Sequence, residues 1–262
     1  MTTKKEKLLI VDGHAMVFRA WFSIPERLTA NKIDTRGAYG FINTLIKSIR
    51  ENNITHVAVC FDTKADTFRD KIFPAYKAQR PPADPDLHKQ IPIAKDLLSS
   101  LGIPVFEKDG FEADDLVGTI SSKANADEID CLILTGDADQ LQLVNEKTNV
   151  LMYSGFGEIR IYNSEKVKER YDGLGPDFVA EIKALEGDPS DNIPGVPGIG
   201  KKAARSLLLE FGHFESLFKN IDNIEHINLR GSKRIQNIIS ENIEVAKRCL
   251  ELTNIVRNVE IN

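Results

Sequence analysis

Nine carboxylates in this chain stand where they could hold a cation. Glu112, Asp114 and Asp115 fall within four positions of "GFEADDLVG", where an apolar-periodic helix carrying Leu116, Val117 and Ile120 begins. A helix N-terminus favours negative charge by a few tenths to about 1 kcal/mol per group, which accounts for two acids and barely for three. Asp12, Asp62 and the pair Asp137 and Asp139 end the apolar runs "KLLIVDG", "THVAVCFD" and "DCLILTGDAD". One Asp after a strand reads as a turn or N-cap residue. Acids at four successive strand exits would instead repel strongly unless a cation lies among them. Oxygen donors with no His or Cys nearby select Mg²⁺ or Mn²⁺ over zinc. So many carboxylates suit two ions, the arrangement that clamps the attacking and leaving oxygens in phosphodiester hydrolysis.

The elements that must position these acids alternate between strand and helix patterns, the signature of an α/β fold with a twisted, mostly parallel sheet flanked by helices. "GIPVFEKDG" reads as a further short strand leading into the acidic helix. Ligands of open α/β sheets bind beyond the carboxyl ends of the strands, so acids distant in sequence converge there. The composition is that of an ordinary globular chain of 262 residues, 42% hydrophobic and 28% charged, long enough for one large domain or one plus an appendage. Cys60, Cys131 and Cys249 have no metal-type spacing and read as reduced core residues of a cytosolic protein. "MTTKKEK" is a short basic lead with no signal-peptide run, and no segment reaches membrane-spanning length, so a soluble chain is expected.

A last acidic pair, Asp188 and Asp191, precedes the turn of "EGDPSDNIPGVPGIGKKAARSLL". "GVPGIGKK" resembles a helix-hairpin-helix turn: Gly195, Gly198 and Gly200 let backbone amides approach a phosphate at a helix N-terminus, and Lys201 and Lys202 add charge. A plain inter-helix turn is the alternative. Between Phe61 and Asp86 the chain has no clean period, yet it interleaves Lys64, Arg69, Lys71, Lys77 and Arg80 with Phe68, Phe73 and Tyr76. Long irregular segments in compact domains are commonly functional, and this mixture suits single-stranded nucleic acid through phosphate contacts and stacking. A solvated charged loop is the other reading.

Together, "LLIVDG", "AVCFDTKADTFR", "AYKAQRPP", "FEADDLVGT", "LTGDADQLQLV" and "EGDPSDNIPGVPGIGKKAA" resemble, in order and nearly end to end, the 5′-nuclease domain of bacterial DNA polymerase I, in the flap-endonuclease superfamily. The resemblance implies a PIN-like nuclease core over residues 1–175, with an arch at about 63–92, and a helical DNA-binding region over 176–262. It implies one Mg²⁺ held by Asp12, Asp62, Glu112 and Asp114 and a second by Asp137, Asp139 and Asp191, with Mn²⁺ able to substitute. Asp115 and Asp188 would act through water. Lys77 and Arg80 would face the scissile phosphate, with Arg69 and Tyr76 also on the DNA side, although Tyr76 has a structural reading. Phe18, with Arg19 beside it, is either an aromatic that stacks on a terminal base or a core residue. K⁺ at the hairpin is a family expectation, and Ala203 stands where related hairpins often carry Thr.

The implied activity is 5′-3′ exonuclease and 5′-flap endonuclease cleavage of branched or nicked duplex DNA, with removal of RNA primers in replication and repair. The implied setting is a monomer in the bacterial cytoplasm at the nucleoid, freestanding or attached to a polymerase. A PIN-type ribonuclease and a catalytically silent DNA-binding module are the competing classes. The formal charge of -5 argues against a nucleic-acid partner only until the nine acids are set aside: 30 acids then face 34 Lys and Arg, a balance of +4. Two bound dications would bring the whole chain to about -1.

Overall fold

The protein is represented by a computed structural model that describes residues 5–24, 29–30, 33–153 and 159–261. The first four residues of the basic lead therefore lie outside the described residues. The first half runs β1 (Lys7–Asp12), α1 (Gly13–Ser23), β2 (Thr29–Ala30), β3 (Ile33–Asp34), α2 (Arg36–Glu51), β4 (His56–Cys60), α3 (Phe68–Ile72), α4 (Pro85–His88), α5 (Gln90–Ser100), β5 (Val105–Phe106), α6 (Ala113–Ala126) and β6 (Asp130–Thr135). There follow β7 (Thr148–Tyr153), β8 (Ile159–Tyr162), α7 (Ser164–Arg170), α8 (Val179–Glu186), α9 (Lys201–Phe211), α10 (Phe214–Lys219), α11 (Ser232–Glu241) and α12 (Ile243–Thr253).

Two compact units result: residues 1–65, 81–163 and 256–262 form one, and residues 66–80 and 164–255 form the other. The sheet of the first unit has the order β5-β4-β1-β6-β7-β8. Every pairing in it is parallel except β7 with β8, so the mostly parallel α/β fold is the one the sequence implied. β1 is central because its residues are apolar on both faces: Leu9, Ile10 and Val11 are fully buried, as a strand covered by helices on either side requires. The chain leaves β1 toward β4 and β5 and later returns to its other side at β6, which makes the carboxyl end of β1 the topological switch point. Phe41 and Leu45 of α2, four positions apart on one helical face, join Val17 and Trp21 of α1 and Phe61 beyond β4 in the core.

The second unit is helical. α8 and α9 are joined by a turn over 187–200, inside which Asp188 and Ile193 form an antiparallel bridge. Gly195 has φ +65°, and a Cβ there would lie 2.3 Å from the Gly187 nitrogen, so the turn closes only around glycine. The amphipathic segment after Gly231 is broken at Asn242 (φ -123°, ψ 24°) into α11 and α12. Residues 66–80 group with this helical unit. Arg69 ties them to it: this side chain is 2% exposed, and its guanidinium donates to the carbonyls of Leu252 (2.9 Å) and Asn254 (2.8 Å).

Candidate metal centre

Asp12 closes β1 and caps α1, Oδ1 accepting the Ala15 amide at 3.0 Å. Its Oδ2 accepts the Thr135 hydroxyl at 3.0 Å and the Gln140 amide nitrogen at 3.2 Å. Thr135 ends β6 and Gln140 lies in the 3₁₀ turn over Ala138–Leu143, so two strand exits meet at one carboxylate. Asp12 is pushed up to about 7, first by burial, then by the charge of Asp62, with Asp137 adding to it; the Ala15 and Thr135 hydrogen bonds oppose the rise. The buried Cys60 thiol is pushed up in the same way, by burial and then by Asp12, Asp114 and Asp62. Four of the nine acids thus act on one neighbourhood in the electrostatics as well as in the topology.

Asp62 follows β4; its Oδ1 accepts the Ala113 amide at 2.7 Å, which ties it to the first turn of α6. Asp114, one residue further, accepts the Gln140 amide at 2.5 Å. Asp137 caps the 3₁₀ turn by accepting the Asp139 amide at 2.8 Å, and its own amide donates to Thr135 Oγ1 at 3.0 Å. Among the described residues no Lys or Arg pairs with Asp12 or Asp62. Oxygen donors, mutual repulsion and the absence of a pairing ammonium or guanidinium at those two acids fit a hard divalent cation.

Some of these acids also hold the fold together. Asp115 is fully buried, and its oxygens accept the backbone amides of Glu112 (3.1 Å) and Val256 (2.9 Å). Glu112 and Asp115 form a reciprocal capping box, so Asp115 fixes the helix start. The statement that no histidine is nearby is also corrected. His14 Nδ1 accepts the Asp62 amide at 3.0 Å and lies 3.3 Å from Asp62 Oδ2. Burial lowers the pKa of His14, with Asp62 opposing, so the neutral ring carries its proton on Nε2. A cleft of about 800 Å³ opens beside Asp62, lined among others by His14, Lys64, His88, Ile91 and Lys95.

Phe18 is half-buried against the core, its ring centroid 6.0 Å from that of His14 and 6.4 Å from that of His88. Arg19 lies over the Tyr153 ring at 4.1 Å.

In the helical unit, Asp188 is 6% exposed, its carboxylate meeting Lys183 Nζ at 2.7 Å and both the amide and the hydroxyl of Ser190. These contacts fold the turn around Asp188. Asp191 accepts Arg80 at 2.6 Å and the Tyr76 hydroxyl at 3.0 Å, with Lys77 Nζ at 3.8 Å. The Lys77 amide also donates to the Asp191 carbonyl, from a left-handed backbone with φ +54°. Lys77 and Arg80, read as facing phosphate, face Asp191 here. Tyr76, 5% exposed, takes its structural reading, and Arg69 is enclosed by carbonyls rather than turned to a ligand. Gly195 serves the turn itself, Gly198 sits against Ile238, and Gly200 with the exposed Lys201 and Lys202 opens α9 toward solvent.

Two family models divide the chain between them. The 5′-3′ exonuclease N-terminal resolvase-like domain matches residues 7–172, and the 5′-3′ exonuclease C-terminal SAM fold matches residues 174–262. The chain belongs to the 5′-3′ exonuclease family. It is 38% identical over 259 residues to DNA polymerase I of Chloroflexus aurantiacus, covering 97% of this chain and 27% of the relative. To DNA polymerase I of Bacillus subtilis it is 35% identical over 260 residues, covering 99% and 29%. The chain thus spans less than a third of the length of these curated relatives. Among solved structures it is similar to the T5 5′-exonuclease with bound divalent metal ions (zinc), at TM-score 0.76 and 25% identity over 96% of this chain and 90% of that one. The catalytic core of Rad2 in complex with DNA substrate shares the fold at TM-score 0.58 and 18% identity, over 94% and 78% of the two chains.

Sequence reading of this exonuclease-family chain missed the residues that orient the acids. Gln140 directly follows Asp139 in "DADQLQL", and a buried amide beside paired carboxylates was the available signal. His14, two residues after Asp12, had the same proximity. Thr135 and Lys183 gave none, because a threonine ending a strand and a lysine in a helix are unremarkable until their partners are seen.

Proposed function

We propose that this chain hydrolyses phosphodiesters at the 5′ ends and 5′ flaps of branched or nicked duplex DNA, and of RNA primers, using two Mg²⁺ ions for which Mn²⁺ can substitute. The observation that supports it best is Asp12, buried where strand exits meet, pushed up to about 7, and paired with no lysine or arginine among the described residues. Bound there, divalent cations would supply activation of water and neutralisation of charge on the phosphoryl oxygens.

This chain's own residues do the rest. Asp12, Asp62, Glu112 and Asp114 would hold one ion, and Asp137 and Asp139 would contribute to a second. For Asp191 the family resemblance assigns a place in the second ion's ligand set, and Asp191→Asn tests it by the number of Mn²⁺ ions bound. Lys77 and Arg80 would exchange Asp191 for the phosphate and stabilise charge developing on it. The cleft beside Asp62 gives room for a nucleotide to approach the carboxylates, and Phe18, with Arg19 beside it, would stack on a terminal base. Gly198, Gly200, Lys201 and Lys202 would hold duplex phosphates at the start of α9, with K⁺ at the turn.

The natural setting we infer is a monomer in the bacterial cytoplasm at the nucleoid, joined to or working beside a polymerase domain, as the DNA polymerase I relatives suggest. No helix among the described residues is long and apolar enough to cross a membrane. The test is cleavage of a 5′-labelled flap DNA with Mg²⁺ and with EDTA, for this chain and for Asp137→Ala. Mg²⁺-dependent release near the junction, lost in the variant while flap binding persists, is the expected result. Binding by both forms with cutting by neither would leave a silent DNA-binding module.

A further inference from the structure

Asp12 ends β1 and Asp114 lies in the first turn of α6, yet one side chain joins them. The Gln140 amide nitrogen lies 3.2 Å from Asp12 Oδ2 and 2.5 Å from Asp114 Oδ1. Gln140 has no exposed surface, and its Oε1 is buried with no hydrogen-bond partner. A glutamine amide carries two N–H donors on one side and an acceptor oxygen on the other. With the amide turned over, its oxygen would face two carboxylate oxygens, so the nitrogen must point at the acids. An unsatisfied buried oxygen costs about 1–3 kcal/mol. The site tolerates that cost on the far side of the amide while both donors serve the carboxylates, which is the pattern of a group placed for the acids rather than for general packing.

We propose that Gln140 is a positioning residue for the divalent-cation site: its amide fixes the spacing and orientation of Asp12 and Asp114 before a cation arrives. The amide supplies the positive end of a dipole where, among the described residues, no lysine or arginine pairs with Asp12, and so reduces repulsion between acids that must be held close. A neutral donor does this without entering the competition for the site that a fixed positive charge would mount against an incoming cation. Because Gln140 is held by the 3₁₀ turn that Asp137 caps, it also couples the β6 exit to the exit of β1 and to the first turn of α6. Outer groups that hydrogen-bond to metal-ligating side chains typically account for 10–100-fold in metal affinity.

This inference rests on the metal-site reading of the previous subsection, and its test separates the two. Mn²⁺ binding is measured without DNA, by electron paramagnetic resonance and by calorimetry, for the wild type and for Gln140→Met, which keeps length and removes both donors. Circular dichroism and the melting midpoint in EDTA report the fold. The expected result is affinity weakened 10–100-fold in a folded variant. If Gln140→Met does not fold, Gln140→Asn, too short to reach both acids, is read the same way. Wild-type binding with affinity in the folded variant within about twofold of it would overturn the positioning role alone. Absence of Mn²⁺ binding by the wild type would overturn the metal site and this role together.

Discussion

Asp12 and Asp188 are buried to nearly the same degree, 5% and 6% exposed, yet their carboxyl groups are displaced in opposite directions. Asp12 rises to about 7 because burial and the charges of Asp62 and Asp137 outweigh its hydrogen bonds. At Asp188 burial also pushes upward, but the Lys183 ammonium, with hydrogen bonds from Lys183 and Ser190, outweighs it and holds the group below the usual value of 3.8. The difference is one neighbouring cation. Asp188 carries its own, whereas Asp12 pairs with no lysine or arginine among the described residues, so its place in the structure is stable at neutral pH only at a cost that a bound dication would remove. Burial alone does not set the direction of a carboxyl shift; the charge of the partner does.

The largest expected effect comes from removing that partner. Lys183→Met leaves Asp188 buried and unpaired and should destabilise the protein by about 3–5 kcal/mol, read from urea unfolding. An effect below about 1 kcal/mol would mean that Asp188 is satisfied by Ser190 alone. Asp12→Asn should act in the opposite sense, stabilising the metal-free protein at pH 7 while abolishing Mg²⁺-dependent cleavage. A tenfold change in proton affinity is ~1.36 kcal/mol, so the rise from 3.8 to about 7 bounds this gain at about 4 kcal/mol. A loss of stability in EDTA would show that Asp12 is held by its hydrogen bonds more than it is strained by its neighbours.

Mg²⁺ at a hundredfold excess over its dissociation constant should add about 2.7 kcal/mol to wild-type stability. Differential scanning calorimetry should register this for the wild type and not for Asp12→Asn. The smallest effects are the pH slopes. Below about pH 4 Asp12 is protonated in both folded and unfolded chains and contributes nothing. Between about 4 and about 7 the unfolded chain ionises while the folded one keeps the proton, so this group makes the metal-free protein less stable as pH rises. Asp188 has the reverse sign: its contribution is fully present above 3.8 and is lost as pH falls through its depressed folded value. Melting midpoints in EDTA from pH 3 to pH 8, for the wild type and for each Asp→Asn variant, would resolve the two.

The fold was legible because a strand buried on both faces is written as an unbroken apolar run, as in "LLIV" of β1, and because each run stopped at a polar residue. The placement of acids at the exits of β1, β4 and β6 followed from the same pattern. Asp115 was not distinguishable from Asp114 in sequence: one turn of helix points the first at the amides of Glu112 and Val256 and the second at Gln140. Arg69 was equally ambiguous, since a basic residue among aromatics reads as a phosphate contact until the carbonyls of Leu252 and Asn254, far along the chain, are seen to enclose it. The break at Asn242 was hidden because the amphipathic period continues across it.

By itself, the sequence determined the alternation of strand and helix, the oxygen-rich character of the candidate site and the glycines on which the turn at 187–200 depends, because these rest on local periodicity, side-chain chemistry and backbone freedom. The tertiary structure alone decided which carboxylates have a partner: Lys183 for Asp188, Arg80 for Asp191, backbone amides for Asp115, and the Gln140 amide shared by Asp12 and Asp114. Charge is compensated over a few ångströms of space, and for most of these acids the compensating group lies many residues away along the chain.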